Sequence, residues 1–200
     1  MARLTFRPVT PERWDDLAAL FGSSGAYSGC WCMYLRESAK EFDALCPNGG
    51  AGNRDRLREI VDSGRVPGLL AYAGREPVGW VSVSPRDDYV RVLRSPVHKP
   101  IDDEDGVWSV ACFFIGRGHR GEGVADALLD AAIAHARRSG ARILEGYPLD
   151  TDGDRRPPAE MWRGSVEQFT RAGFEVAARR KPARPIVRLP LSPSVQTRRP

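Results

Sequence analysis

The chain is predicted to form one mixed α/β domain, a sheet of about six to seven strands flanked by helices. Three observations support this. Short apolar or alternating runs of strand length recur along 200 residues, separated by segments with helical spacing of apolar side chains. Composition keeps one regime throughout, 42% apolar with no internal repeat, and a chain of this length buries roughly 70% of its unfolded surface as a single core. In the middle of the chain a strand-like run, a glycine loop, an amphipathic helix and a second strand follow one another over residues 107–149.

Leu4, Phe6 and Pro8 alternate with polar neighbours and predict a first strand over Arg3–Val9. Thr10 as N-cap and Pro11 at the first helical position start a helix whose apolar stripe is Trp14, Leu17, Ala18 and Phe21. The small-residue segment Gly22–Gly29 ends it. Two short helices are expected over Leu35–Leu45 and Asn53–Val61, divided by Pro47-Asn48-Gly49-Gly50. Pro67–Ala73 and Pro77–Ser84 read as a hairpin around Gly74, and an irregular Pro-containing stretch runs from Pro85 to Gly106, ending in the acidic run Asp102–Asp105. Val107–Ile115 (VWSVACFFI) has the β-branched and aromatic content of a buried strand. Val124, Ala127, Leu128, Ala131 and His135 share one helix face, with Gly140 placed to close that helix. Arg142–Leu149 is the next strand, Asp150–Pro158 a loop, Ala159–Ala172 a helix, and Phe174–Arg179 and Pro185–Leu189 the last strands. One domain is thus expected over residues 1–190, with 191–200, rich in Pro and Ser, as a disordered tail.

The loop Arg120-Gly121-Glu122-Gly123-Val124-Ala125 lies between the central strand and its helix. The first N–H groups of a helix lack partners within it, and the macrodipole adds about half a positive charge, so phosphate oxygens fit there. Gly121 and Gly123 permit positive φ and remove the Cβ atoms that hold a ligand away, and Arg120 offers a charge-assisted hydrogen bond. A dinucleotide-type G-x-G-x-x-G is not matched, because Asp126 stands at the third glycine, and no Walker lysine is present.

This order, strand, R-G-x-G-V-A, helix, strand, resembles the coenzyme A site of the GNAT superfamily of N-acetyltransferases, and the element order is similar over about residues 3–190. The resemblance implies a centrally twisted mixed sheet and acetyl-CoA as co-substrate. It assigns Phe113 and Ile115 on the central strand to the pantetheine arm, and Arg120, Gly121, Glu122, Gly123, Val124 and Ala125 to the diphosphate. It implies an enzyme transferring an acetyl group to a primary amine of a small molecule by direct attack in a ternary complex; a cytoplasmic location is expected separately, from the lack of an apolar run of spanning or signal-peptide type. The alternatives are a protein or peptide amine as acceptor, and a non-catalytic acyl-CoA sensor. The run Gly29-Cys30-Trp31-Cys32-Met33-Tyr34 resembles a GCWCMY segment of a poorly characterised bacterial subset. In that region, which lines the acceptor pocket in the superfamily, Tyr34 and Arg36 are the candidate substrate contacts.

Departures from the family pattern are visible. Gly118 stands where Gln or Arg usually opens the motif, with Arg117 adjacent. Phe169, four residues before Gly173-Phe174, replaces the tyrosine that protonates the leaving thiolate, and Trp162 replaces an asparagine. Ser165 and Tyr147 are then the candidate acids, each also readable as a structural residue. Glu145, which alternation places on one strand face with Ile143 and Tyr147, is the candidate base, or else the partner of an arginine.

Other classes are disfavoured. Residues 179–200 hold seven of the 30 Lys and Arg and no acid, so residues 1–178 carry 23 basic against 26 acidic residues; the net charge of +4 marks no nucleic-acid face. Cys30, Cys32, Cys46 and Cys112 suit neither a disulfide scaffold nor a metal knuckle, and no metal is expected. No apolar run approaches the ~20 residues of a membrane span. A monomer or homodimer is expected.

Overall fold

The computed structural model of the protein describes residues 3–157 and 159–191. Seven strands form one sheet in the order β1-β2-β3-β4-β5-β7-β6. They are β1 (Leu4–Pro8), β2 (Gly68–Ala73), β3 (Glu76–Pro85), β4 (Val107–Ile115), β5 (Ile143–Gly146), β6 (Glu175–Ala178) and β7 (Ile186–Pro190). All neighbours are antiparallel except β4 and β5, which the helix α5 (Val124–Arg138) joins as a parallel crossover. The tail expected over 191–200 lies outside the described residues apart from Leu191. That residue is 4% exposed, packs in the core and donates its N–H to the Arg142 carbonyl at 2.8 Å.

Two apolar layers sandwich the sheet. On one face α5 buries Val124, Leu128, Leu129, Ala132, Ile133 and Ala136 against Val81, Val110 and Phe113. The buried stripe is turned by about one residue from the expected one, because Ala127, Ala131 and His135 flank it half-buried. A full apolar stripe is wider than one row of i, i+4 positions. The helix ends as Gly140 predicts: Gly140 has φ 83°, and Ala141 N–H donates to the Ala136 carbonyl at 3.0 Å. On the other face α1 (Trp14–Phe21) and α3 (Pro47–Asp62) cover Leu70, Tyr72 and Trp80.

The segments before α3 are shorter than expected. α2 spans Ala39–Leu45 and is closed at its start by a capping box between Ser38 and Glu41. Asn48, Gly49 and Gly50 take positive φ inside the first turns of α3, so the Pro-Asn-Gly-Gly break is real although the helix resumes at once. The irregular stretch 85–106 contains a 3-10 turn at Arg86–Asp88 and a short α-helix, α4 (Val90–Leu93).

The helix expected over Ala159–Ala172 is reduced to α6 (Val166–Arg171). Gly164 has φ 76° and interrupts it, and Ser165 becomes the N-cap, accepting from Gln168 N–H at 3.2 Å.

The sheet opens in the middle. β4 pairs with β5 only from Val107↔Ile143 to Val110↔Gly146, although β4 continues to Ile115. A register shift between Ser82 and Val83 places Cys112 and Val110 opposite them, leaving Ala111 as the extra residue of a β-bulge. Beyond Gly146 the chain leaves β4, and Leu149 bridges to Ser165 instead.

Candidate active site

Where β4 and β5 part, a cavity of about 1420 Å³ runs from the α5 N-terminus to the segment after α1. Its long wall is the free half of β4, Ala111–Ile115.

At the helix end the loop has the geometry required for an anion. Gly121 has φ 81° and Gly123 φ 76°, and a Cβ on either would meet no atom within 4 Å, so both line open space. Gly123 occupies the N-cap of α5 and supplies no side-chain cap, which leaves the first N–H groups of the helix to other acceptors. Arg120 donates from Nε to the Ile115 carbonyl at 3.1 Å and so ties the loop to the end of β4. Of the eight residues expected at the coenzyme, Phe113, Ile115, Arg120, Gly121, Gly123, Val124 and Ala125 line the cavity. Glu122 does not: its carboxylate lies 3.3 Å from His119 Nδ1. Arg117 and His119, neither among the expected contacts, line the same end and add basic groups there. This geometry fits the diphosphate of a coenzyme, with positive φ where side chains would intrude and an uncapped helix start.

At the far end the segment 22–37 folds over the sheet. Trp31, at φ 43°, stacks on Trp14 at 6.0 Å and meets Phe21 edge-on at 5.6 Å. Cys32 follows at φ 53°, and two successive left-handed residues other than glycine mark backbone strain held by packing. The turn delivers Cys30, Cys32 and Tyr34 to the cavity wall. Cys32 Sγ lies 3.5 Å from Cys112 Sγ on the bulge and accepts from Trp80 Nε1 at 3.1 Å. The Cys112 contact and burial push the Cys32 thiol well up, and burial takes Cys30 to about 12, so both are protonated at neutral pH.

The two expected substrate contacts separate. Tyr34 lines the cavity, edge-on to Phe42 at 5.4 Å and to Trp162 at 5.8 Å. Arg36 does not reach it: the residue is 4% exposed and its guanidinium donates to Ser84 Oγ at 2.7 Å, Pro67 O at 3.0 Å and Tyr89 OH at 3.2 Å, with Asp88 at 3.4 Å. A guanidinium with this many buried acceptors is a cross-link between the segment and the β2–β3 end of the sheet.

Glu145, Tyr147 and Ser165 are not in the cavity wall. Glu145 and Tyr147 are each 1% exposed. Arg188, opposite Glu145 in the β5–β7 register, binds its Oε1 at 2.6 Å, and Arg86 lies 3.6 Å from the same oxygen. Tyr147 OH donates to Glu145 Oε2 at 3.0 Å and stands 2.8 Å from Ser109 Oγ, which leaves Ser109 as donor to the tyrosine. Burial, then the Glu145 charge, raise Tyr147 well above the ordinary phenol range. Arg188 also binds Asp102, which ties one member of the acidic run to the sheet and holds its carboxyl below the usual range. Glu145 thus has the arginine partner that was the alternative to its reading as a base, and it shares its polar site with Tyr147 away from the cavity wall.

Phe169 is fully buried, 6.3 Å from Phe113 and 4.9 Å from Phe174, whereas its neighbour Gln168 lines the cavity with Trp162 and Met161. Gln168 was missed, because the break at Gly164 and the cap at Ser165 decide which face of this short helix is presented. His98 and Arg163 were also missed. They lie behind Trp162 and Tyr147, 3.4 Å apart, and burial, then Arg163, drop the His98 imidazole to about 4, so it is neutral at pH 7. Among the described residues no group of three or more His, Cys, Asp or Glu is placed to hold a metal ion. No helix among them is long and apolar enough to cross a membrane.

The family model described as acetyltransferase (GNAT) family matches residues 32–154, which spans the cavity from the Cys32 turn through the glycine loop and β5. No curated protein matches the chain. Solved structures share the fold. The PaiA N-acetyltransferase of Thermoplasma acidophilum in complex with coenzyme A is 12% identical, with 94% of this chain and 99% of that one covered and a TM-score of 0.52. An acetyltransferase of Thermus thermophilus is 22% identical, over 96% and 100%, at 0.53. The ribosomal-protein-alanine N-acetyltransferase of Brucella melitensis is 15% identical, over 94% and 99%, at 0.54.

Proposed function

Because the chain belongs to the acetyltransferase (GNAT) family, and is thus an acetyl-CoA-dependent N-acetyltransferase, we propose that its acceptor is the primary amine of a small molecule, attacked directly in a ternary complex. The observation that carries this reading is the continuous cavity that joins the uncapped α5 N-terminus to an aromatic far end, about 1420 Å³ in volume and walled along β4. Acetyl-CoA, when bound, supplies a thioester-activated acetyl group.

The chain's own residues bind, align and shield. Gly121, Gly123 and the first N–H groups of α5 receive the diphosphate, with Arg117 and Arg120 beside them. The part of β4 that lacks a β5 partner offers its backbone edge to the pantetheine arm, and Phe113 and Ile115 lie on this stretch. Tyr34, Phe42 and Trp162 close the acceptor end and exclude water. The chain Ser109–Tyr147–Glu145–Arg188 lies at the point where β4 and β5 part and supports a positioning role for Glu145 and Tyr147. Ser165, as the cap of α6, holds the helix that carries Gln168 into the wall. With Phe169 buried, no side chain of the expected acid type faces the cavity from that helix, and the thiolate takes its proton from water or from the acceptor nitrogen once that has bonded to the acetyl carbon.

Isothermal titration of acetyl-CoA tests the coenzyme half. Binding is expected for the native chain and lost in Gly121→Glu, whose carboxylate enters the open space at the helix start; unchanged binding in the variant would reject the loop as the diphosphate site. Coenzyme release with small amines and with N-terminal peptides tests the acceptor half. Turnover with peptides alone would reject the small-molecule reading, and binding without turnover on any amine would favour a sensor.

A further inference from the structure

We infer that the acceptor is an aromatic monoamine: a primary amine on an aromatic body, with no second cationic group. This rests on the acetyl-transfer reading above and adds a substrate class to it.

The far end of the cavity is walled by Phe21, Tyr34, Phe42, Phe114, Met161 and Trp162. Three of these rings already meet one another edge-on, Tyr34 with Phe42 at 5.4 Å and with Trp162 at 5.8 Å. An aromatic guest continues that arrangement, and each edge-to-face or offset pair contributes about 0.5–1.5 kcal/mol beyond area burial.

Charge decides the rest. The carboxylate in the cavity lining is Asp126, which lies in the first turn of α5 at the coenzyme end and is held by Arg171 at 2.9 Å. Among the described residues the far end has none, so a second ammonium of a polyamine or aminoglycoside would be buried without a counter-charge, which is strongly unfavourable. The aromatic wall is backed by cations instead. The Arg91 guanidinium lies 4.1 Å over the Tyr34 ring and the Arg163 guanidinium 4.3 Å over the Trp162 ring. Arg91 donates to the Glu37 carbonyl at 3.3 Å and Arg163 faces the neutral His98 ring at 3.4 Å. Among the described residues neither guanidinium pairs with a carboxylate, and Arg91 Nη2 and Arg163 Nε are buried without a hydrogen-bond partner. Both guanidinium groups lie outside the cavity lining and against its aromatic wall, so their positive charge acts on the far end through the rings and opposes a ligand cation there.

The same field serves the reaction. An ammonium entering this apolar, positively backed space is destabilised by desolvation and by like charge, both of which lower its pKa. It releases one proton to solvent on entering, and the free amine lone pair is then available without a carboxylate or histidine base in the far wall. A monoamine gains from this, whereas each further cation is only a cost.

The test is an acceptor panel with acetyl-CoA saturating: tryptamine and 2-phenylethylamine against spermidine and an aminoglycoside, followed by coenzyme release and product mass. Binding of the same amines to the native protein saturated with coenzyme A is measured separately by calorimetry. The aromatic monoamines are expected to exceed the polycations by at least ~10-fold in kcat/KM and in affinity, the scale of one favourable pocket contact. Trp162→Leu should raise KM for tryptamine by about 10-fold while leaving acetyl-CoA affinity unchanged. Arg91→Met, which removes one backing charge, should narrow the gap to spermidine. A preference for spermidine or the aminoglycoside, with acetyl-CoA still bound, overturns the inference and leaves the acetyl-transfer reading standing. Failure of the native chain to bind acetyl-CoA overturns the premise and the inference together.

Discussion

Gly146→Ala tests how the opening in the sheet is held. Gly146 ends β5 at the last residue paired with β4, and a Cβ built there would lie 2.3 Å from Phe169 Cε1 and 2.8 Å from Cζ. Both distances are far inside van der Waals contact, and the contacted atoms belong to a fully buried ring wedged between Phe113 and Phe174. The ring must shift or β5 must move away from α6, and overpacking of this kind costs about 1–3 kcal/mol. For a domain near this size that is a fall in Tm of about 2–4 °C per kcal/mol. Denaturant titration of Gly146→Ala, Phe169→Leu and the double variant separates the causes. Phe169→Leu alone leaves a partial void, and in the double variant the alanine methyl fills part of it, so the double loss should be smaller than the sum of the singles. Because Phe113 lines the cavity and touches Phe169, the single Gly146→Ala variant should also weaken acetyl-CoA binding. A Gly146→Ala change with unaltered stability, or strict additivity in the cycle, would refute the seating of Phe169 against β5.

Three further outcomes follow from the geometry. Ser165→Ala removes the cap of α6 and should cost about 1 kcal/mol in stability while leaving the shape of the pH–rate profile unaltered; a lost ionisation limb in that profile would instead make the Ser165 hydroxyl a proton donor. His98 is held neutral with a pKa near 4 against 6.5 unfolded, so the unfolded state binds more protons between these values. Stability from this group is complete above pH 6.5 and is lost as pH falls towards 4, and chemical denaturation of His98→Gln should show a flatter slope in that window. Oxidation with diamide should link Cys32 to Cys112, since the sulfurs are 3.5 Å apart and need to close by about 1.5 Å; peptide mapping that finds Cys30 or Cys46 in the bridge would contradict this pairing.

Much of the fold was legible from local rules. Period-two alternation marked β1, a β-branched and aromatic run marked β4, and Gly74 marked the hairpin. Gly140 marked the end of α5 because only a left-handed residue closes that helix. The glycine loop before α5 was legible for the same reason: its positive-φ turns reside in the backbone, and glycine content reports backbone directly. The α6 region shows a signal passed over. Gly164-Ser165 followed by Gln168 is a stop and a cap, and it shortens a helix that apolar spacing alone would extend. Arg36 was misplaced because nothing local distinguishes a guanidinium facing a ligand from one that ties Pro67, Ser84 and Tyr89 together.

The residues by themselves determined a mixed α/β domain, a glycine loop at the start of α5 and the family to which that loop belongs, since each depends on contacts within a few positions. Tertiary structure alone decided where β4 and β5 separate, that Gln168 rather than Phe169 reaches the cavity, and that Glu145 is enclosed by Arg86 and Arg188. It also placed Arg91 and Arg163 behind an aromatic wall. These are pairings between distant segments, fixed by the bulge at Ala111 and by burial, and charge and packing energies there depend on distances that spacing along a chain does not contain.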